Sequence, residues 1–201
     1  MSVVVAIKKD GIVYMGADSQ VSRGGTRMTL SNPNNYKIWS LCDVDRSLMG
    51  SVGSLRTNNI IKVADNLVPE TIDIKDAVDF RFVVKSLVPH LMDELNEYSA
   101  LSKDRDDMPN MDSEFLFAYH DRLYYISAHG SVVEVDDFHA IGSGSNEALG
   151  SLLSTASEED PIKRIQTAIK ASAARDIYVD YPIIISNTEN TKYNVFCKLD
   201  N

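Results

Sequence analysis

A serine stands directly behind the initiator methionine, and an apolar run follows it without a gap. Residues 3–7 have the β-branched composition of a buried strand. Chain termini usually fray unless something ties them down. A strand that begins at residue 3 therefore fixes the position of Ser2, which is useful if the terminus itself takes part in chemistry.

More familiar catalytic and metal-binding patterns are weakly supported. A Ser-His-Asp triad stays open, but the chain has no G-x-S-x-G sequence to anchor it. The stretch GSGSNE at 142–147 lacks the third glycine of a dinucleotide-binding loop, and no βαβ pattern surrounds it. The acidic stretch 102–114 does not have the spacing of a calcium loop and indicates a solvated connector. We expect no metal and no cofactor, because the four histidines show neither i, i+4 pairing nor cysteines at ligand spacing: His90, His120, His129 and His139.

Charge and composition restrict the class of partner. The 20 basic residues are scattered among 29 acidic ones, for a net charge of −9, so nucleic acid is not an expected partner. No signal sequence and no apolar run of membrane-spanning length is present, so we expect a cytoplasmic protein that does not enter a membrane. The length predicts one domain, 1–201. Cys42 and Cys197 lie in or beside apolar runs and are expected to be buried free thiols.

The elements that must position any site fall into blocks. Four strands come first, at 3–7, 12–17, 36–42 and 46–49, with an Asp10-Gly11 hairpin turn and a loop at 22–35. Two helices follow at 54–67 and 75–98, and Pro89 should kink the second. One face of that second helix is marked by Val84, Leu87, Leu91 and Leu95.

The second half repeats the same organisation. Strands are predicted at 115–119, 123–126, 132–135 and near 140–141. One helix follows GSGS, and another starts at Asp160-Pro161 with an N-cap and a proline at the first helical position. Two final strands are predicted at 182–186 and 193–199.

This order of blocks favours an α+β fold over alternating βαβ units. Strands that are apolar on both faces need a cover on each face. Two pairs of amphipathic helices can supply the outer layers. The sequence therefore predicts a four-layer αββα sandwich.

Several short motifs, taken in order and spacing, resemble one known family, the proteasome β-subunits and HslV-like peptidases, which are N-terminal nucleophile hydrolases. The resemblance runs from Ser2 to about Ser186. A fifth patch, ARD at 174–176, is weaker than the other four. The four main patches are SVVVAIKKDGIVYMGAD at 2–18, YKI at 36–38, MGSVG at 49–53 and IGSGS at 141–145.

The resemblance implies a nucleophile at the first residue of the mature chain, with its own α-amine as general base. It assigns Ser2 as the nucleophile, Lys37 as the cation beside it and Asp18 as the partner of Lys37. This chemistry is coherent, because an α-amine has a pKa of about 8 and a neighbouring ammonium disfavours its protonated form.

Supporting roles are also implied by the resemblance. Gly50 matches the residue whose backbone N–H stabilises the oxyanion, and Ser143 and Asp176 match groups that hold the amine. Ser22 matches a residue that hydrogen-bonds an extended substrate by strand addition. The first specificity pocket, which hints at apolar substrate side chains, would be built by Val21, Tyr36, Leu48 and Val52.

The match has three departures from the family pattern. Ser2 replaces threonine and lacks the γ-methyl group that restricts χ1. Val179 stands where many members carry another hydroxyl near the amine. The α-amine mechanism also requires removal of Met1, which the small side chain of Ser2 should permit.

The resemblance implies a threonine-type peptidase that uses serine and acts on peptides or unfolded proteins inside a homo-oligomeric ring. An ATP-dependent unfoldase is an implied partner. Two alternatives remain open, a catalytically silent assembly subunit and an N-terminal nucleophile hydrolase of small amides.

Overall fold

Two five-stranded antiparallel sheets form the centre of the protein. The computed structural model describes residues 2–41, 44–68 and 77–198. In spatial order the first sheet contains β12 (Phe138–Ile141), β1 (Val4–Lys9), β2 (Ile12–Ala17), β13 (Ile183–Asn187) and β14 (Asn194–Phe196). The second contains β11 (Val132–Glu134), β10 (Arg122–Ile126), β9 (Ser113–Tyr119), β6 (Ser47–Gly53) and β5 (Ile38–Trp39).

Helices cover the outer face of each sheet. On the second sheet lie α1 (Leu55–Lys62), α2 (Phe80–Phe82), a π-helical turn (Val83–Leu87) and α3 (Val88–Glu97). On the first sheet lie α4 (Ser145–Ser154) and α5 (Pro161–Ala173), and Asp160 caps α5 as predicted. The predicted α+β, four-layer αββα sandwich is confirmed.

Residues 3–7, which include most of β1, are apolar because both faces of the chain are covered there. Val4 and Ala6 pack between the two sheets. Val3, Val5 and Ile7 point the other way and pack against α4 and α5. All five are essentially without solvent contact, so the strand directly behind Ser2 is anchored on both faces.

One hairpin turn was predicted from the sequence, and two further hairpins lie in segments that were predicted to be loops. Asp10 and Gly11 both adopt positive φ, as the predicted tight turn requires. The predicted loop at 22–35 instead contains a hairpin, β3 (Gln20–Arg23) paired with β4 (Thr26–Thr29). All of β4 is exposed, so no apolar alternation marked it. The predicted connector at 102–114 likewise contains β7 (Ser102–Lys103) and β8 (Pro109–Asn110).

The long helix that covers the second sheet continues through Pro89. A π-helical turn precedes the proline, and Val88 N–H reaches back five residues to the carbonyl of Val83. Such a turn accommodates a residue that has no N–H and would crowd the carbonyl four residues earlier. It also shifts the buried face, so that Val83 is buried and Val84, which was predicted to face inward, is 39% exposed.

Several predicted features need correction or fall outside the described chain. Cys197 is exposed rather than buried, because it follows β14 at the edge of its sheet. Cys42, residues 75–76 of the second predicted helix and residue 199 of the last predicted strand lie outside the described residues, as does Met1. Within the described ranges, every helix is too short or too polar to cross a bilayer.

Candidate active site

Ser2 is held at the head of β1 by contacts from three directions. Its backbone N–H donates to Ser143 Oγ at 3.1 Å, and its carbonyl accepts from Gly144 N–H at 3.3 Å. The next amide, Val3 N–H, donates to Asp18 Oδ1 at 3.0 Å. Ser2 is 7% exposed, so this residue is held inside the molecule.

A buried ion pair lies beside this terminus. Lys37 Nζ is 2.7 Å from Asp18 Oδ1 and also donates to the carbonyl of Gln20 at 2.6 Å. Asp18 follows β2 and accepts a further bond from Gln20 N–H through Oδ2 at 3.0 Å. The carboxylate therefore organises the Lys37 ammonium, the Val3 amide and the Gln20 amide in one cluster.

Burial determines the protonation behaviour of Lys37. Removal from water lowers the pKa of Lys37, while the charges of Asp18 and Asp176 act in the opposite direction. When it is protonated, Lys37 places a positive charge near Ser2 and can lower the pKa of a second amine nearby.

Asp176 lies after α5, on the same side as Lys37. Its Oδ1 accepts from Tyr178 N–H at 2.8 Å. Its Oδ2 is buried and has no hydrogen-bond partner among the described residues. A buried carboxylate oxygen without a partner can accept a bond from a donor that arrives later, such as a protonated amine.

A cavity of about 330 Å³ opens next to Ser2 and Lys37. Val21, Ser22 and Tyr36 line this cavity. Leu48 is instead buried in the core between the sheets, and Val52 lines a neighbouring cavity of about 390 Å³. Both residues lie on β6, whose inward side packs against the other sheet.

The two glycines of β6 are placed differently. Gly50 lies within the core, where an added Cβ would come within 2.7 Å of both Val4 Cγ1 and Met15 Sδ, so it permits close approach of the sheets. Gly53 lines the cavity together with Ser2. It has a φ of +121°, and a Cβ there would lie 2.3 Å from the Asp112 carbonyl oxygen. The structure therefore places Gly53, and not Gly50, beside Ser2.

Gly142 and Ser143 contact Ser2 and line the neighbouring cavity of about 390 Å³. Gly142 has a φ of +98°, and an added Cβ would meet the Ser2 carbonyl oxygen at 2.2 Å. The neighbouring cavity is lined by Gly142 and Ser143 together with Gly53. Since Ser143 contacts Ser2 directly, the terminus lies between two open spaces, one on each side.

One face of α1 contributes to the site and was not predicted to do so. Leu55, Asn58, Asn59 and Lys62 are spaced i, i+3, i+4 and i+7, and all four line the cavity. The signal in the sequence was a polar stripe on a helix whose other face buries Thr57 and Ile61. Within the described residues, no group of three or more His, Cys, Asp or Glu side chains could hold a metal ion.

The family can be assigned from the whole sequence. The sequence profile of the proteasome subunit family matches residues 2–186, nearly the whole chain. The chain therefore belongs to the proteasome subunit family, and the fold is that of the N-terminal nucleophile hydrolases. A search of curated proteins found no significant match.

Solved structures with the same fold include three relatives. BPH of Thiobacillus denitrificans, solved in complex with epoxomicin, is 23% identical, with a TM-score of 0.74, over 92% of this chain and 97% of that one. HslV of Trypanosoma brucei is 17% identical, with a TM-score of 0.64, over 92% and 98%. Anbu, an ancestral β-subunit from Yersinia bercovieri, is 14% identical, with a TM-score of 0.68, over 98% and 88%.

Proposed function

We propose that this protein is an N-terminal nucleophile peptidase in which Ser2, after removal of Met1, attacks the peptide bond. The observation that carries this proposal is that Ser2 shares one cavity with Lys37, whose ammonium forms a buried ion pair with Asp18. A charged pair is costly to bury. The position of the Lys37–Asp18 pair beside Ser2 is explained if the pair shifts the pKa of the Ser2 α-amine.

The reaction uses two groups of the same residue. The Ser2 α-amine takes the proton from Oγ as Oγ forms a bond to the substrate carbonyl carbon. The tetrahedral intermediate collapses when the C–N bond breaks, and the ammonium gives its proton to the leaving amine. A water molecule then attacks the acyl ester, giving its proton to the α-amine, which returns it to Oγ as the acid leaves.

The surroundings keep the α-amine available as a base. Its ordinary pKa is about 8, and the nearby Lys37 ammonium lowers the pKa further because two cations repel. Ser143 Oγ already contacts the Ser2 nitrogen. Asp176, whose charge acts on Lys37 and whose Oδ2 is buried without a partner among the described residues, is proposed as a second acceptor for the ammonium that forms during attack.

The negative oxygen of the intermediate needs a backbone donor close to Ser2. Gly50 was assigned this role from the resemblance, but it lies in the core between the sheets. We assign the role to the backbone N–H of Gly53, which lines the same cavity as Ser2.

Substrate binding and assembly complete the proposal. An extended peptide or unfolded protein binds along β3, where Ser22 faces the cavity, by strand addition. Membership of the proteasome subunit family supports a homo-oligomeric ring in the cytoplasm that encloses the sites. An ATP-dependent unfoldase would then deliver substrates to the chamber.

Substitutions at Ser2 test the chemistry. Protein that begins at residue 2, verified by intact mass, should cleave fluorogenic peptides. Ser2→Thr should retain activity, because it keeps the hydroxyl, and Ser2→Ala should lower kcat by about a thousandfold or more. Equal activity of Ser2→Ala and wild type would overturn the proposal.

A silent assembly subunit is the alternative outcome. In that case the protein forms a ring but cleaves no peptide, even when its mass shows that Met1 has been removed. A small-amide hydrolase would ignore extended peptides and cleave only short acylated amines.

A further inference from the structure

The cavity beside Ser2 is basic, although the protein as a whole is acidic. Its lining includes Arg23, Lys37 and Lys62, and no Asp or Glu among the described residues lines it. The chain carries a net charge of −9. A cleft lined by positive charge attracts anions, even when the protein as a whole is acidic.

Lys62 is the cation of this group that is partly buried and has no carboxylate partner among the described residues, whereas Arg23 is exposed and Lys37 is paired with Asp18. Its Nζ donates to the carbonyl of Asn34 at 3.0 Å and to that of Tyr36, and it lies 4.9 Å from the centre of the Trp39 ring. No ion pair joins it to any carboxylate of the described residues. A lysine ammonium has three donors, so one remains after these two bonds.

Burial makes this arrangement expensive for the folded protein. Desolvation lowers the pKa of Lys62 to about 8, and no acidic group offsets it. Lys37, in contrast, is paired with Asp18. A partly desolvated cation without a counter-charge that also lines a cavity is placed to receive its counter-charge from a ligand.

The position of Lys62 defines which part of a ligand it would meet. It lies in the last turn of α1, at the end of the stripe that begins with Leu55 and continues through Asn58 and Asn59. The side-chain amide N–H groups of Asn58 and Asn59 can donate hydrogen bonds to a carboxylate. In the proposed mechanism Ser2 Oγ attacks the carbonyl carbon of the residue before the cleaved bond, so the side chain of that residue must lie close to Ser2. Of the two neighbouring cavities, the one that Ser2 itself lines is this one.

We propose that Lys62 makes this cavity selective for a carboxylate side chain, so that the enzyme prefers glutamate or aspartate directly before the bond it cuts. This proposal rests on the peptidase function proposed above. It replaces the apolar preference suggested by the sequence, because the cavity that Val21 and Tyr36 line is also lined by Asn58, Asn59 and Lys62 of α1.

Matched peptides test the preference. Two fluorogenic peptides that differ only in Glu or Gln before the cleaved bond have the same shape and differ in charge. We expect kcat/KM to favour the Glu peptide by about tenfold or more, as an acid facing a partly desolvated cation requires. Lys62→Met should abolish this ratio, and Lys62→Arg should keep most of it. Lys163→Met, which removes an exposed charge from α5, is the control and should leave the ratio unchanged.

A purely structural role for Lys62 gives a different result. If its bonds to Asn34 and Tyr36 only hold the loop, Lys62→Met will lower kcat/KM for both peptides equally and preserve their ratio. That result, or a wild-type enzyme that cleaves both peptides equally, would overturn the proposal while leaving the peptidase function intact.

Binding separates the cavity from the chemistry. Fluorescence anisotropy with the Ser2→Ala protein and the same two labelled peptides measures affinity without cleavage. If no peptide is cleaved but the Glu peptide binds at least about tenfold more tightly and loses that advantage in Ser2→Ala/Lys62→Met, the carboxylate preference of the cavity stands and the peptidase function fails. If neither cleavage nor selective binding occurs, both proposals are overturned.

Discussion

The buried charges of Asp18 and Lys37 depend on each other and on specific hydrogen bonds. Asp18 accepts bonds from the Val3 amide, the Gln20 amide and the Lys37 ammonium, and its side chain is fully buried. Removing one member of such a cluster leaves a charge without compensation. The energetic consequences should therefore be large, and they should be separable from the loss of catalysis.

The Asp18 and Lys37 pair can be tested by a double-mutant cycle. Asp18→Asn should destabilise the protein by about 3–5 kcal/mol, because the Lys37 ammonium remains buried without its carboxylate. Adding Lys37→Met should restore part of that stability while activity stays lost. Urea unfolding and peptide hydrolysis measure the two effects. A double variant as unstable as Asp18→Asn alone would contradict the role assigned to the ion pair.

Lys62 should give the protein a distinct pH dependence of stability. Its folded-state pKa of about 8 lies below the ordinary value of 10.5, so between these values the unfolded chain binds more protons. The free energy of unfolding of wild type, relative to that of Lys62→Met, should therefore rise as pH increases from about 7.5 to 9.5. Chemical unfolding of both proteins at several pH values measures this difference. A difference that stays constant, or falls, would show that Lys62 is not desolvated in the folded state.

At the scale of elements, the site depends on how closely strand ends and loops approach one another. Gly142, which follows β12, touches the Ser2 carbonyl so closely that a side chain has no room. The same residue adopts a φ of +98°, a conformation that disfavours any other amino acid. The start of β1 and the turn into α4 are therefore fitted to each other.

Gly142→Ala should displace Ser2. We expect a loss of about 1–3 kcal/mol of stability from strain and overlap, together with a large fall in kcat. Gly150→Ala is the matched control, because Gly150 lies within α4 with no atom near its added Cβ. That variant should gain up to about 1 kcal/mol and keep full activity. If Gly142→Ala retains wild-type activity, the turn does not position the nucleophile.

The elements also show what the sequence could and could not predict. The apolar runs of β1 and β2 and the capped start of α5 were visible, because periodicity and capping are local signals. The hairpin of β3 and β4 was missed because all residues of β4 are exposed. The reassignment from Gly50 to Gly53 was also missed, because only the packing of the two sheets shows which glycine reaches the cavity. Lys62 carried no motif, and its burial is a property of the tertiary structure.

At the scale of the whole molecule, exposed apolar residues occur on several surfaces. Val133 on β11 and Val195 on β14 are 53% and 49% exposed, and each lies on an edge strand of its sheet. Leu153 on α4 and Ile177 after α5 are 70% and 73% exposed. They are scattered singly, so by themselves they do not mark an interface.

Assembly can be measured directly. We expect sedimentation velocity to show a single large species of many subunits at micromolar concentration, because membership of the proteasome subunit family supports the proposed ring. Leu153→Asp should shift the distribution toward smaller species if α4 lies at a subunit contact. A monomer across the whole concentration range of the wild-type protein would rule out the ring.

The most direct test of the central claim compares two forms of the protein that differ only in Met1. One form is released from a cleavable fusion so that it begins at residue 2, and the other retains Met1, with both masses verified. We expect the form with a free Ser2 α-amine to hydrolyse fluorogenic peptides, tested with both the Glu and the Gln peptide, and the Met1 form to be inactive, because its Ser2 nitrogen is an amide and cannot act as a base. Equal rates for the two forms, or no hydrolysis by the form that begins at Ser2, would contradict the assignment of Ser2 as an N-terminal nucleophile.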